Sequence, residues 1–270
     1  MPRLKWHMLR RRAGDPAFLR ENLDAALAAG AACEVDLVLS ADGHFVCLHD
    51  LALDRETTGT GLAAALPRRE IERLRQRGAG GEVLATPPLF LDEIVERVRA
   101  AGPVAPALVQ LDIKVPGRDL TPAVLDRLGG TLGTMAPAFI AGGTEWEAVQ
   151  NLQAAAPGLA GGFDPLRLYP RSWRLSAEAF RALGAYTFAI APDASIFYLE
   201  ASMLLAALDA GVNMVEMVTG RGALVDAWTV DPSRPDLSRV LSRLVAAGCG
   251  QITTNDPETL GPLLQEIARA

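Results

Sequence analysis

Short apolar runs alternate with amphipathic segments of helical period along the whole chain, the pattern of a parallel sheet covered by helices. The runs that read as strands are Leu4–His7, Cys33–Leu39, Phe45–His49, Leu108–Lys114, Ala138–Ala141, Leu159–Gly162, Thr187–Ile190, Val212–Met217, Leu224–Val230 and Gln251–Thr253. They outnumber the eight strands of a closed barrel, so some lie outside it or belong to other elements. Between them, Asp15-Pro16 opens a helical stripe of Leu19, Leu23, Ala26 and Leu27 that stops at Gly30. Thr144 with Glu147 reads as a capping box before Val149 and Leu152. Leu237, Val240, Leu241 and Leu244 form another stripe before Gly248, and Asp256-Pro257 starts a last one through Leu260, Leu263, Leu264 and Ile267. The expectation is an α/β fold, a (β/α)8 TIM-type barrel.

Strands buried on both faces should be apolar throughout, so charged residues at alternate positions near a strand's C-terminal end need a reason. In Cys33-Glu34-Val35-Asp36-Leu37, the period of two sends Glu34 and Asp36 to one face. In Val109-Gln110-Leu111-Asp112-Ile113-Lys114, Asp112 and Lys114 share a face, and His49 ends the run from Phe45. A barrel gathers those ends at one mouth. Adjacent carboxylates repel unless a cation lies between them, and Glu34, Asp36 and Asp112 form a hard oxygen donor set suited to Mg²⁺ or Ca²⁺. Lys114 would face a phosphate as a point charge, while His7 and His49 are the groups able to exchange protons near neutral pH. Metal, ammonium and two imidazoles together describe cleavage of a phosphate ester. His44, in the turn Asp42-Gly43-His44, reads as solvated and idle, and Ser195–Leu199 with Met203-Leu204-Leu205 reads equally as an apolar lip or as helix packing.

Composition narrows the partners. A net charge of −6 and 50% hydrophobic residues allow a sizeable core and lack the basic surplus of a nucleic-acid binder. A small soluble substrate is favoured. No linker divides the 270 residues, so one domain over 1–270 is expected. Cys33, Cys47 and Cys249 lack metal or disulfide spacing and read as reduced core thiols. The basic start MPRLKWHMLRRR is followed by no apolar stretch of signal or anchor length, which leads to the expectation of a cytoplasmic protein without a membrane anchor. Oligomeric state is not encoded legibly.

Several segments, in order, resemble the glycerophosphodiester phosphodiesterase family. Glu21-Asn22 within RENLDAALAAGA resembles its P-E-N-T segment, and CEVDLVLSADGHFVCLHDLALDR resembles E-L-D-V … D-G … V-V-x-H-D … L-D-R, continued by Thr57–Gly61. LATPPLFLDEIV, LDIK, AWTVD and QITTNDP resemble I-P-T-L-E-E-V, E-I-K, W-T-V-N and I-I-T-D-x-P. The resemblance implies a barrel of the phospholipase C-like phosphodiesterase type. It implies Glu34, Asp36 and Asp112 as ligands of a divalent cation (Mg²⁺, Ca²⁺ or Mn²⁺), His7 and His49 as proton-transfer residues, Lys114 at the phosphoryl group and Trp228 lining the substrate pocket. The implied reaction uses the substrate's glycerol hydroxyl as nucleophile, forms a cyclic phosphate, and releases an alcohol and glycerol 3-phosphate.

The family's H-R-G is replaced by His7-Met8-Leu9 followed by Arg10-Arg11-Arg12, so its phosphate-binding arginine is displaced, with Arg10 the preferred substitute. Aspartate stands where E-I-K has glutamate. Both departures, with Trp228-Thr229-Val230-Asp231, are similar to the sphingomyelinase D and phospholipase D toxins. That similarity implies an alternative action on lysophospholipids, and the altered first motif leaves a non-catalytic phosphodiester-binding descendant as another reading.

Overall fold

The computed structural model describes residues 1–169 and 174–269. Among the described residues, nine strands run β1 (Arg3–Trp6), β2 (Ala32–Leu39), β3 (Phe45–Cys47), β4 (Val109–Ile113), β5 (Phe139–Gly143), β6 (Ala160–Phe163), β7 (Ile196–Glu200), β8 (Leu224–Trp228) and β9 (Gln251–Thr254). Eight of them are parallel in the order β1-β2-β4-β5-β6-β7-β8-β9, and β1 pairs with both β2 and β9, which closes a TIM-type (β/α)8 barrel. β3 stands outside that ring, folded back antiparallel on the far end of β2 with Leu37 opposite Cys47.

Alternation along β2 does what the sequence pattern demands: Cys33, Val35 and Leu37 join the large apolar layer between sheet and helices, while Glu34 and Asp36 face the other way. The helix Leu237–Ala247 adds Val240, Leu241 and Leu244 to that layer and ends at Gly248, whose φ of 91° is the left-handed C-terminal stop glycine favours. Inside the barrel Ile140, Ile196 and Tyr198 form a small buried apolar group. Above them lies a polar layer of Lys5, Glu34, Gln110, Asp226, Gln251 and Thr253, all buried. Glycine makes room for both groups: a Cβ on Gly162 would sit 2.6 Å from the Tyr198 ring, and one on Gly142 would sit 2.9 Å from Gln110 Nε2.

The barrel differs from the sequence expectation in particular places. Thr187–Ile190 is the last turn of a helix, Ala177–Ile190, and Val212–Met217 runs into another, Met214–Thr219. Asn213 explains the second: its side chain accepts from the N–H of Val215 and Glu216, which starts a helix where a β-rich composition suggests a strand. The strand that fills the gap is β7, drawn from the segment read as a lip or as helix packing. The helix after Asp15-Pro16 begins at Arg20, while Asp15 instead accepts from the backbone N–H of Arg11 and Arg12 and from Asn22 Nδ2. The helix expected at Thr144 begins at Trp146 without a side-chain cap.

Candidate active site

β2 and β4 are neighbours in register, Asp36 opposite Asp112, so the alternate carboxylates of both strands arrive at the barrel mouth together. Glu34, Asp36 and Asp112 each present a carboxylate oxygen, all within 4.8 Å of one another. Asp36 is 0% exposed, and neither of its oxygens has a hydrogen-bond partner. Lys114 Nζ lies 2.9 Å from Asp36 Oδ1, an ion pair without hydrogen-bond geometry, and also contacts Asp112 Oδ2. Burial pushes the Asp36 carboxyl well above the usual range; Lys114 opposes this, and Glu34 and Asp112 add to it. One ammonium shared between Asp36 and Asp112 leaves three gathered carboxylates short of positive charge. The donor set therefore fits a hard divalent ion.

Lys5, on β1, lies below this cluster. Its ammonium is 3.1 Å from Glu34 Oε2 and 2.8 Å from Asp226 Oδ2, donates to Gln110 Oε1 and lies 4.5 Å from the centre of the Tyr198 ring. Asp226 is completed by Gln251 Nε2 at 2.6 Å and Thr253 Oγ1 at 2.7 Å. Burial disfavours a charged Lys5, yet Asp226 and Glu34 raise it above its ordinary value. Burial likewise disfavours a charged Glu34, and Lys5, His7 and Lys114 bring its carboxyl down to about 2. With all ionised, Glu34, Asp36, Asp112 and Asp226 face Lys5 and Lys114, a surplus of two negative charges that one divalent cation balances.

The two histidines flank the same cavity, about 410 Å³, which Lys5, Glu34, Asp112, Lys114 and Trp228 also line. His7 follows β1 in a turn where Met8 and Leu9 hold φ of 53° and 57°, left-handed values that cost energy for side-chain-bearing residues. Its Nδ1 donates to Asn255 Oδ1 at 2.8 Å; Arg10 Nη1 donates to the same oxygen at 3.0 Å, and Asn255 Nδ2 donates to Asp231 Oδ2 at 2.9 Å. Those fixed partners set the amide's orientation and leave Nε2 of His7 as its free nitrogen. His49 lies just past β3, in the loop. Its Nδ1 donates to Asp50 Oδ1 at 2.8 Å, and Arg55 Nε holds Asp50 Oδ2 at 2.6 Å.

The other expected residues divide. Trp228, at the end of β8, lines the cavity. Arg10 lines a separate hollow, while Arg11 and Arg12 are drawn off to Glu258. Four side chains escape a reading of isolated strands: Asn255, Asp231, Arg55 and Asp164. Asp164, directly after β6, lines the cavity, and burial, with Asp112 and Glu34 adding to it, raises its carboxyl to about 7.

The family model of the glycerophosphoryl diester phosphodiesterases matches residues 20–114, the stretch that carries His49, the three carboxylates and Lys114. A Mycobacterium tuberculosis protein named "Probable glycerophosphodiester phosphodiesterase 1" is 30% identical over 238 residues, 81% of this chain and 78% of the relative. This chain belongs to the glycerophosphoryl diester phosphodiesterase family. The family is one of phosphoric diester hydrolases, and a Caldanaerobacter subterraneus glycerophosphodiester phosphodiesterase is 27% identical over 240 residues, covering 86% of this chain and 85% of its own. Among solved structures, a Parabacteroides distasonis glycerophosphoryl diester phosphodiesterase shares the fold with a TM-score of 0.71 at 17% identity, covering 99% of this chain and 87% of that one. An Oleispira antarctica phosphodiesterase, solved with its product sn-glycerol-3-phosphate, has a TM-score of 0.68 at 20% identity, covering 100% of this chain and 98% of its own. Among the described residues, no helix of this family member is long and apolar enough to cross a membrane.

Proposed function

We propose that the protein is a divalent-metal-dependent glycerophosphodiester phosphodiesterase that releases an alcohol and glycerol 3-phosphate. The observation that carries this reading is Asp36, buried and without a hydrogen bond, beside Glu34 and Asp112 under two imidazoles. Glu34, Asp36 and Asp112 would hold Mg²⁺, Ca²⁺ or Mn²⁺, which supplies Lewis-acid stabilisation of charge on the phosphoryl oxygens. The ammonium of Lys114 then faces the same oxygens as a fixed charge. One imidazole takes the proton of the substrate's glycerol hydroxyl as that oxygen attacks phosphorus, and the other protonates the departing alcohol. The attack closes a cyclic phosphate, which water opens with the proton roles reversed. Asn255 and Asp50 fix the ring orientations, so each histidine works through Nε2. Trp228 forms a wall of the pocket. The test is hydrolysis of glycerophosphocholine followed by phosphorus NMR: a chelator abolishes it, a divalent ion restores it, and His7→Ala and His49→Ala do not turn over. Full activity in the presence of chelator would overturn the reading.

One observation favours a second reading, cleavage of an acylated diester in the manner of a phospholipase D. A groove of about 570 Å³ lined by Val38, Leu39, Leu51, Leu62 and Val124 adjoins the catalytic cavity, and Val115 lines both. Faster turnover of lysophosphatidylcholine than of glycerophosphocholine, lost in Leu62→Glu, would decide for it.

A further inference from the structure

Behind the two histidines lies another hollow, about 200 Å³, between the loop after β1 and the segment 48–81. Among the described residues it shares no lining residue with the catalytic cavity. Its walls carry three guanidinium groups, Arg10, Arg55 and Arg77, and one carboxylate, Glu56. Glu56 accepts the backbone N–H of both His49 and Asp50 through Oε2 at 2.9 Å, and the same oxygen lies 3.7 Å from Arg55 Nη2, so this one carboxylate offsets part of the charge and leaves the walls with an excess of guanidinium. Arg10 Nε is buried and has no acceptor. Arg77 spends Nε on Thr57 O and Nη1 on Gly81 O, and the rest of its wall is the small-residue turn Gly78, Ala79 and Gly81. Burial, and after it the charge of Arg55, hold the Arg10 guanidinium below its ordinary range against the opposing pull of Asp231, Glu56 and Asp36.

Like charges gathered around a hollow with an unmatched N–H are unfavourable when it is empty and favourable around an anion. We propose that this hollow is a second oxyanion site, separate from the catalytic cavity, that takes a phosphate-class dianion. Guanidinium forks match the oxygens of such an ion in pairs. The site is also placed to be felt by the chemistry. Arg10 shares Asn255 Oδ1 with His7, and Arg55 holds the Asp50 carboxylate that orients His49. An ion drawn in by both arginines would loosen those two contacts without occupying the substrate's place. Phosphate then acts on turnover rather than on substrate binding.

Two sources offer this chemistry, free phosphate and a phosphomonoester such as the reaction's product, and the test separates them. Inorganic phosphate and sn-glycerol 3-phosphate are titrated calorimetrically into the Mg²⁺-loaded protein, and both are used as inhibitors of glycerophosphocholine hydrolysis. The wild-type protein is expected to show two classes of phosphate site and inhibition that lowers kcat. Arg77→Gln and Ala79→Glu should weaken one class on the order of tenfold and remove the kcat effect, with uninhibited kcat/KM within about twofold of wild type. Arg77→Gln also breaks two backbone contacts; Ala79→Glu breaks none and only sets a carboxylate at an exposed edge of the hollow, so it decides if the first variant melts early. Equal response to both titrants marks a general phosphate site, and response to inorganic phosphate alone marks one too tight for an ester. A single class of site in the wild type, or two classes that survive in both variants, overturns the proposal. Absence of hydrolysis in the wild type would instead strike the catalytic reading and leave the binding result standing.

Discussion

Lys5 and Lys114 are two lysines of one barrel, each set against two carboxylates, yet their surroundings differ in kind. Lys5 is 2% exposed, and its partners Glu34, Asp226 and Gln110 form a closed set in which Asp226 is completed in turn by Gln251 and Thr253. Lys114 keeps 27% of its side chain in solvent and leaves the oxygens of Asp36 without a hydrogen bond. A satisfied buried network fixes a structure, whereas a buried carboxylate whose one ammonium is shared with a second carboxylate is an arrangement waiting for a ligand. The barrel thus carries a rigid ionic floor and, one layer higher, a mouth whose charges are arranged for something that arrives.

The largest effect that tests this contrast is expected at Asp36. Asp36→Asn should lower glycerophosphocholine turnover by roughly 10³-fold or more, since it removes a ligand to an ion worth several kcal/mol of charge stabilisation. In the metal-free state the same change should leave the urea midpoint equal or higher, because it replaces a carboxyl whose ionised form the fold disfavours. A substantial drop in the midpoint would place Asp36 in the structural floor.

Much of this was legible before folding. The alternation Cys33-Glu34-Val35-Asp36-Leu37 put two carboxylates on one strand face, and the register of β2 with β4 brought Asp112 beside them. The floor leaves the same kind of mark in the sequence: Lys5 between Leu4 and Trp6, and Asp226 within Leu224–Trp228, are equally out of place in buried strands. Their pairing depends on β1 and β8 both lying beside β9, which no local pattern reports. β7 was missed because the residues before it, Thr187–Ile190, have strand composition but continue a helix. Asn255, Asp231 and Arg55 sit on loops, where alternation gives no signal.

Next in size is Lys5→Met. It strands Glu34 and Asp226 in the interior and should cost about 3–5 kcal/mol in denaturant unfolding. Adding Asp226→Asn should recover part of that loss, because one of the two uncompensated charges goes with it. No recovery in the double variant would mean that Lys5 is held by packing against Tyr198 more than by its ion pairs.

Lys114→Met sharpens the contrast from the other side. The cation is partly solvated and its buried partner Asp36 can take up a proton once unpaired, so the unfolding free energy should fall by about 1–2 kcal/mol, less than for Lys5. Turnover should fall on the order of 10²-fold with a smaller change in KM, as for a group whose charge matters most in the transition state. Equal losses in stability and in turnover would erase the distinction between floor and mouth.

A pH-dependent effect concerns the acid just beyond the mouth. Asp164 has its carboxyl raised to about 7 by burial, with Asp112 and Glu34 adding to it, whereas in the unfolded chain it titrates near the ordinary aspartate value. Between about pH 4 and 7 the folded state therefore binds more protons at this group than the unfolded state does. Its contribution to stability must fall as pH rises through that window and level off above it. The difference in bound protons approaches one in the middle of the window, so the slope there should approach about 1.4 kcal/mol per pH unit, and any solvent screening of the half-buried side chain narrows the window from its upper end. Other carboxylates slope the opposite way, so the measurement is the difference between wild type and Asp164→Asn in urea melts from pH 4.5 to 7.5 with chelator present. That difference should shift steadily in the variant's favour as pH increases. Repeating the series with a divalent ion should flatten it, because positive charge at the mouth offsets the repulsion from Asp112 and Glu34 that helps hold the proton on Asp164. A series that ion addition leaves unchanged would detach Asp164 from the mouth and assign its raised carboxyl to burial alone.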